Sequence, residues 1–416
     1  MTDEAPKSAR RYDLDWLRVI AVCFLVMIHT AAMFDPYPVT AVKGQRSFPL
    51  ILFATFLHEW RLAVLFIVSG AGSYFVLGVL TGRQFSLMRF KRIIIPLIVG
   101  TLLIVPVQLY YWQFLGNPHY SKSYFHFYLT IMWRFLFQGA FGRGRESLHW
   151  GHLWFLAYLF VSSLVALPLF LYLRRGSGRH ILPRMAAFLE KRFAIFLFAL
   201  PLVFVEITLA PMKSGGRLII IDDMADFLFY LVLFIYGFVI VSDDRFRATI
   251  ERHRWIALAS GLVTSAVYLL VTFAGHHPVR GHNLNWTLFT ILRGFNAWFW
   301  CVTIFGFGSR HLNFNHRRLQ YANQAVYPVY ILHLPLATMI AYHVVRWPVP
   351  VAIQFIVITL SAIAIAVCIF EFILRRTKVT RFLFGLKEKR LDQAAQVPPT
   401  TEIIPSTEGD VKSAPV

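Results

Sequence analysis

The chain alternates between long apolar runs and short polar or basic segments. Ten runs have the length, about 20 mostly apolar residues, that a helix needs to cross the ~30 Å hydrocarbon core of a bilayer. They cover residues 16–35, 60–80, 93–113, 153–173, 193–212, 224–242, 255–274, 286–307, 322–343 and 349–373. The pattern therefore predicts an all-α integral membrane protein, built as a bundle of about ten transmembrane helices.

The polar segments divide the chain into three parts. Residues 1–12 form a polar N-terminal segment, residues 13–387 hold the apolar runs, and residues 388–416 form a tail rich in Pro, Thr, Ser and Glu. That composition is typical of disordered segments. Between two runs, the aromatic stretch 124–138 predicts an interfacial or re-entrant helix on the outer face. We expect the chemistry within residues 13–387.

Composition supports the membrane interpretation and assigns the positive charge a topological role. The chain is 57% hydrophobic with a mean hydropathy of +0.58, and its 41 Lys and Arg against 21 Asp and Glu give a net charge of +20. Basic clusters such as 83–92, 174–184 and 243–254 fall between runs, where cytoplasmic loops carry Lys and Arg. This predicts that both termini are cytoplasmic. No basic-aromatic groove pattern appears, so we expect no nucleic-acid partner.

Cysteine and histidine spacing favours neither a disulfide framework nor a metal site. Cys23, Cys301 and Cys368 lie far apart in apolar runs and lack a CxxC partner. One external segment offers a different group of metal-ligand residues, namely His276, His277 and His282. Its spacing matches no recognised ligand pattern, so no metal is expected.

The first apolar run contains an arginine and a histidine, Arg18 and His29. Eleven helical steps of about 100° end only ~20° beyond three turns, so both side chains lie on one helix face, ~16 Å apart along the axis. With Arg18 near the cytoplasmic boundary, His29 lies at mid-membrane or beyond. An ionisable group there indicates a functional site, and histidine can act as a base near neutral pH. The alternatives are that Arg18 snorkels and pairs with Asp15, and that a neighbouring helix satisfies His29.

Arg89 and Arg92 form an R-x-x-R pair at the cytoplasmic start of the third run. On an α-helix the two guanidinium groups project to one side and can form a fork for an anion. A phosphate-bearing cofactor suits such a fork. The alternative is a positively charged anchor that contacts lipid phosphates.

Further polar residues in or beside the runs are candidates to line a substrate cavity. They are Arg61 near the outer start of the second run, His152 with His149 at the outer mouth of the fourth, and His333 in the ninth. His152 is a candidate to orient an acceptor or to support His29. Interfacial belt residues and satisfied structural groups are the alternatives. The roles of Arg293 and Asn296, on one face of the eighth run, stay open.

An ordered set of short motifs resembles the acyltransferase 3 family of membrane acyltransferases. The motifs are DLDWLR, HEWRLAVLFIVSG, RFKRIIIP, HLWFLAYLF and YILHLP, and the resemblance spans residues 12–387, with most similarity to a branch that succinylates periplasmic glucans. It implies a ten-helix enzyme that moves an acyl group from a cytoplasmic coenzyme A thioester to a carbohydrate or lipid-linked acceptor outside. The family's catalytic histidine maps onto His29, its partner arginine onto Arg18, and its cytoplasmic arginine pair onto Arg89 and Arg92.

The resemblance also implies partners and a location. We expect acyl-CoA, as succinyl-CoA or acetyl-CoA, to be the donor, and a glycan on the outer side of a bacterial inner membrane to be the acceptor. Membrane lipids, a second copy of the chain or glycan-synthesis proteins are the other expected partners. Whether His29 acts as a general base or carries the acyl group stays open. The rival functions are a proton-coupled transporter of polar or acidic solutes and a non-catalytic scaffold.

Overall fold

The structure is a computed structural model that describes residues 10–35, 45–116, 119–138, 147–209, 223–275, 278–279 and 281–386. These residues form α-helices joined by short 3₁₀ and π turns, and no strand occurs among them. The predicted tail at 388–416, most of segment 1–12, and His276 and His277 lie outside the described residues.

Helices lie over all ten predicted runs. The first part of the chain forms α1 Tyr12–Ala31, α2 Phe48–His58, α3 Arg61–Val76, α4 Gly82–Arg89, α5 Ile95–Val99, α6 Val105–Gly116, α7 Tyr124–Gln138, α8 Trp154–Val165 and α9 Leu167–Arg174. The second part forms α10 Ile181–Leu189, α11 Ala199–Leu209, α12 Met224–Ile240, α13 Asp244–Phe273, α14 Leu284–His311, α15 Arg317–Val344, α16 Val351–Ile369 and α17 Lys378–Leu383.

Seven helical stretches of the described chain are long and apolar enough to cross a membrane. They are Tyr12–Phe34, Phe48–Val76, Gly82–Gln113, Asp244–Phe273, Leu284–His311, Arg317–Val344 and Val351–Leu374. An eighth is the pair α8 and α9, which is bent by 44°. The fifth and sixth predicted runs form the shorter apolar helices Ala194–Leu209 and Met224–Ile240. The latter has 17 residues, or about 26 Å, slightly less than the hydrocarbon core. The fold is that of a multi-pass membrane protein, and the count of ten stays a prediction.

Several helices are interrupted where the hydropathy pattern is continuous. The second span begins at Phe48, earlier than predicted, and breaks at Glu59 and Trp60 between α2 and α3. The third span contains two π turns, Phe90–Ile94 and Gly100–Ile104, on either side of α5. A proline at the start of α5 lacks a backbone N–H and disturbs the regular hydrogen-bond ladder there. The break between α2 and α3 places Arg61 at the start of a helix with its side chain buried.

The helix α1 lies inside the bundle, in contact with α2, α3, α14, α15 and α16. The small residues of α3 let another helix approach closely, as the run Ser69–Gly72 predicts. A Cβ atom on Gly70 would overlap the carbonyl oxygen of Phe234, and one on Gly237 would overlap that of Ile67, so the backbones of α3 and α12 touch. This contact fixes the position of α3, the helix that carries Arg61.

The aromatic stretch between the third and fourth spans forms the helix α7 at the predicted bounds. Phe127 and Ile131 on its inner side are buried, whereas Phe125, Leu136 and Phe137 are about two-thirds exposed. A helix with apolar side chains on both faces packs on the protein with one face and suits lipid with the other.

Candidate active site

Two histidines from distant parts of the chain meet inside the bundle. Nδ1 of His29, on α1, lies 2.7 Å from Nε2 of His333, on α15, and the two rings stack with centroids 5.0 Å apart. Nδ1 of His333 lies 2.6 Å from the carbonyl oxygen of Tyr330. The three groups form one continuous chain of hydrogen bonds.

The direction of this chain follows from the chemistry of its last member. A backbone carbonyl only accepts hydrogen bonds, so Nδ1 of His333 carries the proton and, in the neutral ring, Nε2 accepts. His29 must then donate from Nδ1, which leaves the lone pair of the ring on Nε2. The pair therefore holds His29 in the tautomer whose Nε2 can accept a proton.

A cavity of about 470 Å³ opens onto His29. His29 lines this cavity, whereas His333 is completely buried and supports His29 from behind. The structure places His333 behind His29 and not among the residues that line the cavity. The polar residues of the wall that bear on the chemistry are His29, His58, Arg61, Gln108, His149 and His152.

Arg61 is the first residue of α3, directly after the break at Glu59 and Trp60. Its side chain is only 4% exposed, and NH1 donates to Nδ1 of His58 over 3.0 Å. The break lets the helix start with a guanidinium group inside the bundle and places a fixed positive charge in the cavity wall.

His152 lies where α8 begins, and the ring is held by α15. Pro335 has no N–H, so the carbonyl oxygen of Ile331 loses the usual helical donor, and Nε2 of His152 donates to it over 3.0 Å. The hydroxyl of Tyr330 donates to the carbonyl oxygen of His152 over 2.7 Å. Nδ1 of His152 is buried and has no hydrogen-bond partner among the described residues.

His149 lies just before this span. Burial lowers the pKa of the His149 imidazole from its ordinary value of 6.5 to about 4, so the ring is neutral at pH 7. Its Nδ1 accepts the N–H of Gly151 over 2.9 Å, in a tight turn that Gly151 makes with a φ of +50°. The cavity wall therefore carries a neutral imidazole at His149 at physiological pH.

Arg18 and Arg89 lie close enough for their charges to interact, and Arg92 adds a third positive charge. Arg89 donates to Oγ of Ser73 over 2.6 Å, and its buried Nε has no partner within the described ranges. None of the three arginines lines the 470 Å³ cavity. They form a separate basic cluster toward the other end of α1.

Two details of this basic cluster differ from the sequence interpretation. Asp15 pairs with Arg10 at 2.9 Å, and no ion pair between Asp15 and Arg18 occurs among the described residues, although the two charges attract each other. The π turn Phe90–Ile94 contains Arg92, so the fork with Arg89 does not have the angles of a regular α-helix. A wider turn changes the side-chain directions but keeps both charges on the same stretch.

Arg293 and Asn296 connect helices and do not line the cavity. Arg293 pairs with Glu59 at 3.4 Å and with Glu206 at 3.2 Å, which ties α14 to α11 and to the break before α3. Oδ1 of Asn296 accepts from hydroxyls of α13. Both residues therefore support the walls around the site.

Gln108 and Trp112, one turn apart on α6, also line the cavity and were missed in the sequence. Within the part of the chain that the structure describes, neither the amide of Gln108 nor Nε1 of Trp112 has a hydrogen-bond partner. The signal that could have found them is a glutamine in the middle of an apolar run, with a tryptophan four residues later. Within the described ranges, no group of three or more His, Cys, Asp or Glu is arranged to hold a metal ion.

Comparison with known proteins assigns the class that this bundle and its histidine site indicate. Residues 11–371 match the model of the acyltransferase 3 family, which is described as an acyltransferase domain, so the chain belongs to that family and the predicted resemblance is confirmed. Glucans biosynthesis protein C of Escherichia coli strain SMS-3-5 / SECEC is 25% identical over 390 residues, which cover 91% of this chain and 95% of the relative. The protein of the same name from strain K12 is 24% identical over the same shares. No solved structure matches the chain.

Proposed function

We propose that the protein is a membrane-embedded O-acyltransferase of a bacterial inner membrane. It moves an acyl group, succinyl or acetyl, from cytoplasmic acyl-CoA to a hydroxyl of a glycan on the outer side. The family and the relatives named for glucan biosynthesis support this proposal. The observation that carries it is the hydrogen-bond chain from His29 through His333 to Tyr330, beside a cavity large enough for a substrate group.

The histidine pair supplies the base. Nε2 of His29 takes the proton of the acceptor hydroxyl while that oxygen attacks the thioester carbonyl, and His333 stabilises the imidazolium through Nδ1 of His29. The C–O bond forms, the C–S bond breaks, and the proton passes from His29 to the sulfur, which leaves as free thiol. The same lone pair on Nε2 serves the alternative route, in which His29 carries the acyl group between two transfers.

The positive charge of Arg61 serves the same step. Negative charge develops on the thioester oxygen in the transition state, and a fixed guanidinium group in a buried wall stabilises it without reorganisation. The same charge accommodates the free carboxylate of a succinyl group. The bond to His58 holds the guanidinium group in place.

The basic cluster serves the donor. Arg18, Arg89 and Arg92 bind coenzyme A phosphates, and the thin pantetheine arm extends along α1 toward His29, ~16 Å from Arg18. Asp35, just beyond the other end of α1, lines the cavity, so the cavity extends away from the basic cluster. The acceptor then enters from the side of His149.

The test compares two variants with matched controls. His29→Ala is expected to lose at least about 100-fold in acyl transfer and thiol release while coenzyme A binding is kept. Arg89→Gln with Arg92→Gln is expected to weaken coenzyme A binding about 10-fold or more. His311→Ala and Arg83→Gln, which remove exposed residues of the same types, serve as controls. Mass spectrometry of the glycan and a thiol assay measure the outcome.

Ordinary turnover in His29→Ala would contradict the proposed role of the histidine. Unchanged donor affinity in the double arginine variant would show that these arginines act only as topological anchors. The mass added to the glycan identifies the acyl group.

A further inference from the structure

One side of the cavity carries polar groups that no atom of the described residues satisfies. They are both atoms of the Gln108 amide, Nε1 of Trp112 and Nδ1 of His152. Gln108 is completely buried. Leaving a buried polar group without a partner costs free energy, so such groups collected in one cavity wall indicate a ligand that satisfies them.

The local structure brings these groups together and keeps space in front of them. Gln108 and Trp112 lie on the same face of α6, and the Trp112 ring is 6.4 Å from the ring of His149. Gly151 faces Gln108: a Cβ atom there would lie 3.7 Å from Oε1. The Nε2 atom of His152 is bound to the carbonyl of Ile331, so Nδ1 is the atom left to accept.

We propose that Gln108, Trp112 and His152 form a subsite that binds neighbouring hydroxyl groups of a neutral sugar ring in the acceptor. This inference rests on the proposed function. The groups include donors, from the Gln108 amide and Trp112, and acceptors, from Oε1 of Gln108 and Nδ1 of His152. Hydroxyl groups both donate and accept, whereas carboxylates and phosphates only accept and are bound best by cations. An uncharged, mixed set therefore fits a polyhydroxylated ring.

The subsite adjoins the base. The ring of His152 packs edge-on against that of His333, with centroids 5.1 Å apart, and His333 holds His29. A sugar ring bound by two of its hydroxyls at the subsite presents another hydroxyl to His29. Gln108 and Trp112 are therefore specificity-determining residues, which select the hydroxyl that is acylated.

The test replaces one polar group at a time in the full-length protein, purified in detergent or lipid nanodiscs. Gln108→Met keeps the size of the side chain and removes both hydrogen-bonding atoms, and Trp112→Phe keeps an aromatic ring and removes the N–H. Thr101→Val is the matched control. It removes a buried hydroxyl that also has no partner among the described residues, and Thr101 lies in the same span but is not among the residues that line the cavity. The probes are gluco-oligosaccharides of two to six residues and their monodeoxy analogues.

We expect the KM for the saccharide to rise about 10- to 100-fold in Gln108→Met and less in Trp112→Phe, since an amide makes two hydrogen bonds and an indole one. The control Thr101→Val is expected to keep both the KM and the rate of thioester hydrolysis within about twofold of the wild type. The deoxy analogue that lacks the bound hydroxyl should lose affinity in the wild type but not in Gln108→Met. Thermal stability should be kept, because the Gln108 amide forms no hydrogen bond to any residue that the structure describes.

Failure of this inference and failure of the proposed function give different results. If the wild type acylates a saccharide and Gln108→Met does so with an unchanged KM, or if its melting temperature falls together with thioester hydrolysis, the subsite is refuted and the acyltransferase stands. If the wild type acylates no saccharide, the proposed function fails, and direct titration of the saccharide judges the subsite alone. If the saccharide then binds equally to the wild type and to Gln108→Met, or binds to neither, the proposed subsite is refuted.

Discussion

The position of His29 on its helix could be predicted from the sequence, but the group that supports it could not. Helical geometry places Arg18 and His29 on one face of α1 because both belong to one helix. The partner of His29, His333, comes from a helix 304 residues later. No local pattern states which of two distant histidines lines a cavity and which is buried behind it. The roles of His152 and His333 could therefore be assigned only once the packing of three helices was known.

The histidine pair leads to a prediction about His333. His333→Leu removes the acceptor for Nδ1 of His29, so the His29 ring is no longer held in the tautomer with a free lone pair on Nε2. We therefore expect kcat to fall roughly 100- to 1,000-fold. The KM values for donor and acceptor should change little, because His333 does not line the cavity. Steady-state kinetics with purified protein measures both.

His333→Gln supplies a side-chain oxygen as acceptor and is expected to recover part of this loss. His343→Leu is the control, because it changes an exposed histidine on the same helix. A loss of the same size in His333→Gln and His333→Leu, together with reduced thermal stability in both, would indicate a packing role in place of the proposed tautomer control.

At the scale of helices, the hydropathy pattern predicts where apolar runs lie but not where they break. Hydropathy averages side chains and carries no information on the backbone hydrogen bonds, so the break before Arg61 and the bend between α8 and α9 do not appear in it. Proline is a partial signal, as the loss of a donor at Pro335 shows. The break before α3 positions Arg61, and the carbonyl freed by Pro335 holds His152, so the site depends on features that the pattern does not contain.

The contact between α3 and α12 gives a prediction at this scale. Gly70→Ala and Gly237→Ala each place a methyl group against a backbone carbonyl of the other helix, which only a shift of the helices can relieve. We expect each to destabilise the protein by about 1–3 kcal/mol or more, as overpacking does. Gly72→Ala, two residues along α3, is the control, because its nearest neighbour is a side-chain atom of Arg18 at 4.0 Å. Thermal unfolding in detergent measures the effect, and equal melting temperatures for Gly70→Ala and Gly72→Ala would contradict the close contact.

At the scale of the whole molecule, the two ends of the site differ in chemistry. The basic cluster of Arg18, Arg89 and Arg92 suits an anionic donor, and the wall with Gln108 and His149 suits a neutral acceptor. Charge along the chain predicts which end faces the cytoplasm, because basic loops stay inside. The fold alone does not show which end of the site faces the cytoplasm, so the orientation of the protein has to be tested with membranes of known sidedness.

The last prediction uses this asymmetry. In inverted membrane vesicles, whose cytoplasmic face points outward, added acyl-CoA should release free thiol when gluco-oligosaccharide is enclosed in the lumen, and the enclosed saccharide should gain the acyl mass. In right-side-out vesicles, acyl-CoA added outside should release none, because its phosphates keep it from crossing and the basic cluster faces the lumen. Vesicles with His29→Ala are the control for background hydrolysis. Thiol release from right-side-out vesicles would reverse the orientation, and uptake of the saccharide without thiol release would favour the transporter, because transport needs no broken C–S bond.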